Sequence, residues 1–66
     1  MTDTAKLLEI IDKSGYKKNH IAQELGITRY ALMKKVNNVT EFKASEIGVL
    51  SEILNIKDKE DIFFTS

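Results

Sequence analysis

Six side chains between Thr28 and Asn37 could do chemistry on a partner molecule. Thr28, Arg29, Tyr30, Met33, Lys34 and Asn37 surround two apolar residues, Leu32 and Val36, which lie four apart and so share one helix face. If Leu32 and Val36 point inward, the others point outward or sideways. Together they supply a hydroxyl, a guanidinium, a phenol, a thioether, an ammonium and a carboxamide. A guanidinium grips guanine O6 and N7 with two hydrogen bonds, a carboxamide does the same for adenine, and a methyl or thioether touches the thymine methyl. An ammonium or a phenol reaches phosphates or base edges. A merely solvated basic face accounts for Lys34. It accounts less well for Tyr30 and Met33, because apolar surface exposed beside charge more often marks a contact surface.

A second group stands at Lys17, Lys18 and Asn19, in the stretch YKKNH. A helix N-terminus is already partly positive and favours a capping residue or an acid. Two lysines oppose that preference. They suit an anion, since free backbone N–H groups, the helix dipole and two ammonium groups would converge on one phosphate. Lys17, Lys18, Asn19, Asn37 and Lys43 are therefore candidate phosphate contacts, and Thr28, Arg29, Tyr30, Met33 and Lys34 candidate base contacts. His20 falls on the exposed side of the same segment and is expected to be inert. Asn38 is expected to shape a loop.

These groups need helices to position them. Leu7, Leu8, Ile10 and Ile11 form a helical stripe that Thr2, Asp3 or Thr4 can cap and Gly15 stops, giving a helix near 4–13. Ile21, Ala22 and Leu25 mark a second, about 18–25. Thr28 opens a third, about 28–36. NNVTEF reads as a loop, with two Asn residues that tolerate unusual backbone angles. Phe42, Ile47, Leu50, Ile53 and Leu54 mark a fourth helix, about 44–54, with Asn55 as its stop. Asp58 can cap a last short turn. No period-2 alternation predicts a strand. The expected core is Leu8, Ile11, Ile21, Ala22, Leu25, Ile27, Leu32, Val36, Phe42, Ile47, Leu50 and Leu54.

Gly26 joins the second and third helices with almost no connecting chain. Helices so close in sequence meet only at a steep angle, through a turn that needs φ > 0, which Gly supplies without steric cost. Ala22, four residues earlier, is small enough for the third helix to cross closely, and Ile27 points back to the core. This is the geometry of a helix-turn-helix.

Composition narrows the alternatives. The chain has 66 residues, of which 42% are apolar and 30% charged, enough for one domain spanning 1–66 with 57–66 a short C-terminal turn or tail. No apolar run approaches the ~20 residues of a membrane span, and the acid near the start does not suit a secretory signal. A cytoplasmic location is the expectation. With no Cys and one His, neither a metal site nor a nucleophile–base pair can be assembled, so no enzyme, cofactor or small-molecule ligand is expected. The formal net charge is zero, yet residues 13–43 carry +5 while 1–12 carry −2 and 44–66 carry −3. A basic centre between acidic flanks fits one face meeting an anion.

The stretch IAQELGITRYALMKKVNN resembles the helix-turn-helix of the Cro/repressor (XRE-like) family of phage and bacterial regulators. The matching features are Ile21–Ala22, Leu25–Gly26–Ile27, Thr28 at the start of the recognition helix and Leu32 within it. EFKASEIGVLSEILNI resembles that family's fourth helix, so the likeness covers roughly residues 4 to 56. It implies an all-α, lambda-repressor-like bundle of four to five helices. It also implies duplex DNA as partner, with the third helix in the major groove, and a homodimer on a two-fold operator. By matching position, Lys18 lies near the DNA backbone, Thr28, Arg29, Tyr30, Met33 and Lys34 face the groove, and Asn37 contacts the backbone. One departure is Lys35, at an inward position often apolar in the family. Its stem is expected to pack while its ammonium escapes to water.

The functional expectation is a sequence-specific regulator of the Cro type, phage- or prophage-borne, that represses by occupying an operator. The alternative is a protein-binding module on the same fold, antirepressor-like or antitoxin-like. Phe63 and Phe64 are too apolar for a free tail. Each either contacts a second copy or folds back on its own core, with the second option favoured for Ile62 and Phe63.

Overall fold

Five helices account for most of the chain in the computed structural model, which describes residues 1–65: α1 (Thr4–Ser14), α2 (Lys18–Leu25), α3 (Arg29–Val36), α4 (Ala44–Ile53) and α5 (Lys59–Phe63). Among the described residues there is no strand. The all-helical expectation and the helix order hold, with boundaries within about a residue of those read from the sequence. Of the tail expected over 57–66, Ser66 lies outside the described residues.

The starts follow from capping. Asp3 accepts from the Lys6 N–H (3.1 Å), Thr28 Oγ1 from the Ala31 N–H (3.1 Å) and Asp58 from the Asp61 N–H (3.2 Å). Each satisfies one of the donors that a helix start leaves unpaired. At α4, Glu46 Oε1 accepts the Lys43 N–H at 2.8 Å, one half of a capping box. At α2, Lys17 stands in the cap position and no side chain caps the helix.

The ends follow from left-handed residues. Gly26 has φ +73°, its N–H donates to the Gln23 carbonyl, and the Ile27 N–H reaches back to the Ala22 carbonyl at 3.0 Å. That is the Schellman ending, and it turns the chain directly into α3. The same pattern closes α3 and α4 with asparagine at the left-handed position: Asn38 (φ 63°) with Val39 N–H on the Lys34 carbonyl, and Asn55 (φ 55°) with Ile56 N–H on the Ser51 carbonyl. Asparagine tolerates this conformation better than other side-chain-bearing residues do.

The two asparagines differ in what else they hold. Asn38 Oδ1 accepts from the Thr2 N–H (2.8 Å), and Asn38 Nδ2 donates to the Thr2 carbonyl (2.9 Å). Nearby, Thr4 Oγ1 donates to the Val36 carbonyl at 2.6 Å. Residues 2–4 are thus strapped to the C-terminal end of α3. Asn55→Gly should therefore change unfolding free energy by no more than about 0.5 kcal/mol, relief of the left-handed angle offsetting added chain entropy. Asn38→Gly should cost about 1–3 kcal/mol, because it strips two partly buried backbone groups of their partner. Equal effects in urea titrations would show that the strap carries no stability.

One core joins all five helices: Leu7 and Ile11 from α1, Ile21 and Ala22 from α2, Leu32 and Val36 from α3, Ile47 and Leu50 from α4 with Leu54 just after it, and Ile62 and Phe63 from α5. Two expectations need correction. Leu7, not Leu8, is the fully buried leucine of α1; Leu8, Leu25, Ile27 and Phe42 are half-buried around the core. α1 packs on both α3 and α5, and the Asp3 N–H at its start donates to the Ile62 carbonyl at 2.7 Å, so the Leu7 side of α1 faces the core.

Candidate nucleic-acid interface

The helix that carries most candidate residues is only two turns long. α3 buries Leu32 and Val36 and packs chiefly on α2, with further contact to α1. On the side away from the core, Tyr30 is 75% exposed. Lys34 Nζ sits 5.5 Å from the centre of the Tyr30 ring, a cation–π contact that holds both groups together on the outward face. Met33 and Lys34 are half-buried, while Thr28 and Arg29 are exposed. The Thr28 hydroxyl oxygen is already an acceptor for the helix start, so what it retains for a partner is its O–H and its methyl.

Arg29 lies apart from Tyr30 and Lys34. It lines an open groove between α1 and α2 together with Lys17, Lys18 and Asn19, and with one acid, Asp12, on the α1 side. The groove thus gathers Arg29 and three of the five candidate phosphate contacts, at a helix start where no side chain bonds the backbone. Tyr16, which the sequence reading passed over, lines the same groove. Its ring stacks on His20, with centroids 5.3 Å apart and planes 24° off parallel. An aromatic one residue before Lys17–Lys18 was the available signal. His20 is otherwise 3.8 Å from Glu24, both half-exposed.

Electrostatics separates the lysines. Lys6 pairs with Asp61, Lys13 with Glu9 and Lys35 with Glu46. Among the described residues, Lys17, Lys18, Arg29, Lys34 and Lys43 have no carboxylate partner. Lys57 and Lys59, which the sequence does not nominate, are likewise outside these pairs, so what sets the nominated cations apart is their position and not their lack of a partner. Of the others, Asn19 is exposed on the groove. Asn37 donates from its side chain to the Met33 carbonyl at 2.9 Å, which leaves one amide hydrogen and the oxygen for a partner.

Lys35 departs from its expectation. Its ammonium does not escape to water. Nζ donates to Glu46 Oε1 at 2.5 Å, with the two side chains only 11% and 8% exposed. Burial pushes the Glu46 carboxyl up, but the hydrogen bond from Lys35, the Lys43 N–H and the charges of both lysines outweigh it, holding the group below its ordinary value. An ammonium can stay inside because a carboxylate, itself positioned by the start of α4, waits there.

Phe63 and Phe64 divide. Phe63 is 4% exposed and packs edge-on against Phe42, with centroids 5.5 Å apart, so it belongs to its own core and is not available to a second copy. Phe64 is 61% exposed.

No group of three or more His, Cys, Asp or Glu side chains that could hold a metal occurs among the described residues, and no described helix is long and apolar enough to cross a membrane. Comparison with protein families, with characterised proteins and with solved structures returned no match.

Proposed function

We propose that this protein is a sequence-specific duplex-DNA-binding regulator, a small repressor of the Cro type that lays α3 in the major groove. The observation that carries the reading is where cations without a carboxylate partner gather: Lys17, Lys18 and Arg29 line one groove at a helix start with no side-chain cap, and Lys34 lies beside Tyr30 on the outward face of the next helix. Free backbone N–H groups with lysines favour a phosphate. An outward helix face carrying a phenol, an ammonium and a thioether favours a groove. The steep α2–α3 turn at Gly26 is the connection such a pair of helices requires.

In this reading Lys17, Lys18 and Asn19 hold the DNA backbone with help from Asn37 and Lys43. Tyr30, Met33 and Lys34 meet base edges, with Thr28 and Arg29 at the entry of the helix. Exposed Phe64 is the residue available for a second copy, as a homodimer on a two-fold operator needs.

Selection of random duplex DNA by the purified protein at moderate salt, followed by sequencing, tests this. A two-fold symmetric site with half-sites about 34–36 Å apart is the expected product. A short asymmetric site would mean reading by a single copy. Absence of any enriched site would overturn the proposal in favour of a protein partner, antirepressor-like or antitoxin-like, for which the exposed Phe64 and Val39 offer the contact surface.

The backbone contacts have their own signature. Lys18→Ala should weaken binding to every duplex alike and flatten the slope of log K against log salt by about 1, since one fewer counterion is displaced. A loss confined to the selected site would reassign Lys18 to base reading.

A further inference from the structure

We infer that the buried Lys35–Glu46 pair sets the roll of α3 about its own axis, and so decides which side chains α3 turns toward DNA; the inference rests on the function proposed above. At about 100° per residue, Leu32 and Val36 fall within roughly 40° of each other. Two anchors nearly in line hold a short helix against the core but leave its roll about that line poorly determined. The covalent turn at Gly26 and the Thr4 bond to the Val36 carbonyl hold the ends of the axis. A point off the line is needed to fix rotation.

Lys35 is that point. It lies about 60° to one side of Leu32 and Arg29 about 60° to the other, while Tyr30 and Lys34 lie nearly opposite. The neighbour of Lys35 on its flank is Ala31, a single methyl that cannot resist rotation by packing. The other end of the tie is equally fixed: Glu46 Oε1 accepts both Lys35 Nζ and the backbone N–H of Lys43, so the carboxylate is pinned to the start of α4.

The choice of a charged pair supports positioning over stability. Replacing a buried pair by well-packed apolar residues is often neutral or stabilising, whereas an ion pair adds direction. A roll of about 25° moves a side-chain tip ~5–6 Å from the helix axis by roughly 2–3 Å. That exceeds the tolerance of a base-edge hydrogen bond.

The double variant Lys35→Met/Glu46→Leu separates the roles. It removes both charges, so no lone charge stays buried, and it should fold. Residual dipolar couplings of the α3 amides, measured by NMR without DNA, should report a changed roll while Leu32 and Val36 remain in the core. Discrimination between the selected site and single-base-pair variants should fall at least tenfold, with the salt slope unchanged because Lys17 and Lys18 are untouched. Unchanged α3 couplings would overturn the inference whatever the protein binds. A changed roll with unchanged discrimination would overturn the link to specificity. A changed roll in a protein that selects no site would uphold positioning and refute the DNA-binding function instead. Should the double variant not fold, Lys35→Gln, which offers Glu46 only a shorter, neutral donor, serves the same readout. It should show a smaller shift in the couplings, and wild-type couplings would again overturn the inference.

Discussion

Lys35→Met alone should bring the protein to the edge of unfolding at pH 7, and acid should narrow the deficit. Removing the ammonium leaves Glu46 charged, 8% exposed at its side chain, with the Lys43 N–H as its one remaining hydrogen-bond donor among the described residues and the Lys43 charge nearby. Stranding one member of a buried pair costs about 3–5 kcal/mol. A chain of 66 residues has roughly 3–10 kcal/mol in all at 0.05–0.15 kcal/mol per residue, so the loss is a large share of the total.

The pH dependence follows from linkage. In the wild type the Glu46 carboxyl lies below its ordinary 4.5, because the Lys35 and Lys43 interactions outweigh burial. Its contribution is therefore complete above about pH 4.5 and is lost as pH falls through the lower folded value. In the variant the two Lys35 interactions that lower the carboxyl are gone, burial counts for more, and the carboxyl rises from its wild-type position. The variant therefore loses less stability on protonation of Glu46 than the wild type does. Urea titrations at pH 7 and pH 4 should show the gap between the two proteins closing with acid. A gap that stays constant would mean that Glu46 finds another partner once Lys35 is gone.

Arg29→Ala should have the second-largest effect, and on binding alone. Arg29 is exposed at the start of α3 and has no carboxylate partner among the described residues, so its removal should leave the melting temperature close to wild type. Loss of a bidentate contact to guanine costs about 1–3 kcal/mol, roughly 5- to 150-fold in affinity, and relaxes preference at that base pair alone. The groove it shares with Lys17, Lys18 and Asn19 sets up the competing outcome. If Arg29 holds a phosphate with them, the loss should be uniform over all sequences and the salt slope should fall by about 1. Repeating the random-duplex selection with the variant, and measuring affinity at two salt concentrations, distinguishes the two.

Much of the fold was legible because helix boundaries are written in local chemistry. Asp3, Thr28 and Asp58 cap with bonds three residues away, and Gly26 and Asn55 end helices through their own backbone angle. No distant residue takes part. The α2–α3 turn was legible for the same reason, since Ala22, Gly26 and Ile27 make it within six residues of chain. The candidate site was legible insofar as it is a helix face: Leu32 and Val36 define the inside, and Tyr30 and Lys34 follow by periodicity.

What the chain's order alone left open depends on which elements meet. Leu7 and Leu8 are adjacent on α1, and the packing of α1 on α3 and α5 decides which one is buried. Phe63 and Phe64 differ by one position, and Phe42, 21 residues earlier, selects Phe63 as its partner. Asn38 is a turn residue by type, but its hold on Thr2 spans 36 residues. The placement of Arg29 with Lys17 and Lys18 requires the crossing of α2 and α3. Lys35 is the sharpest case. By type it belongs in water, and a charge is tolerated inside only where an opposite charge is already fixed. That partner, Glu46, lies on another helix. Local chemistry thus determined where the helices begin and end and which face of α3 is free. Tertiary packing decided which of two adjacent apolar side chains is buried and which charges lie inside, because those depend on groups that only folding brings within bonding distance.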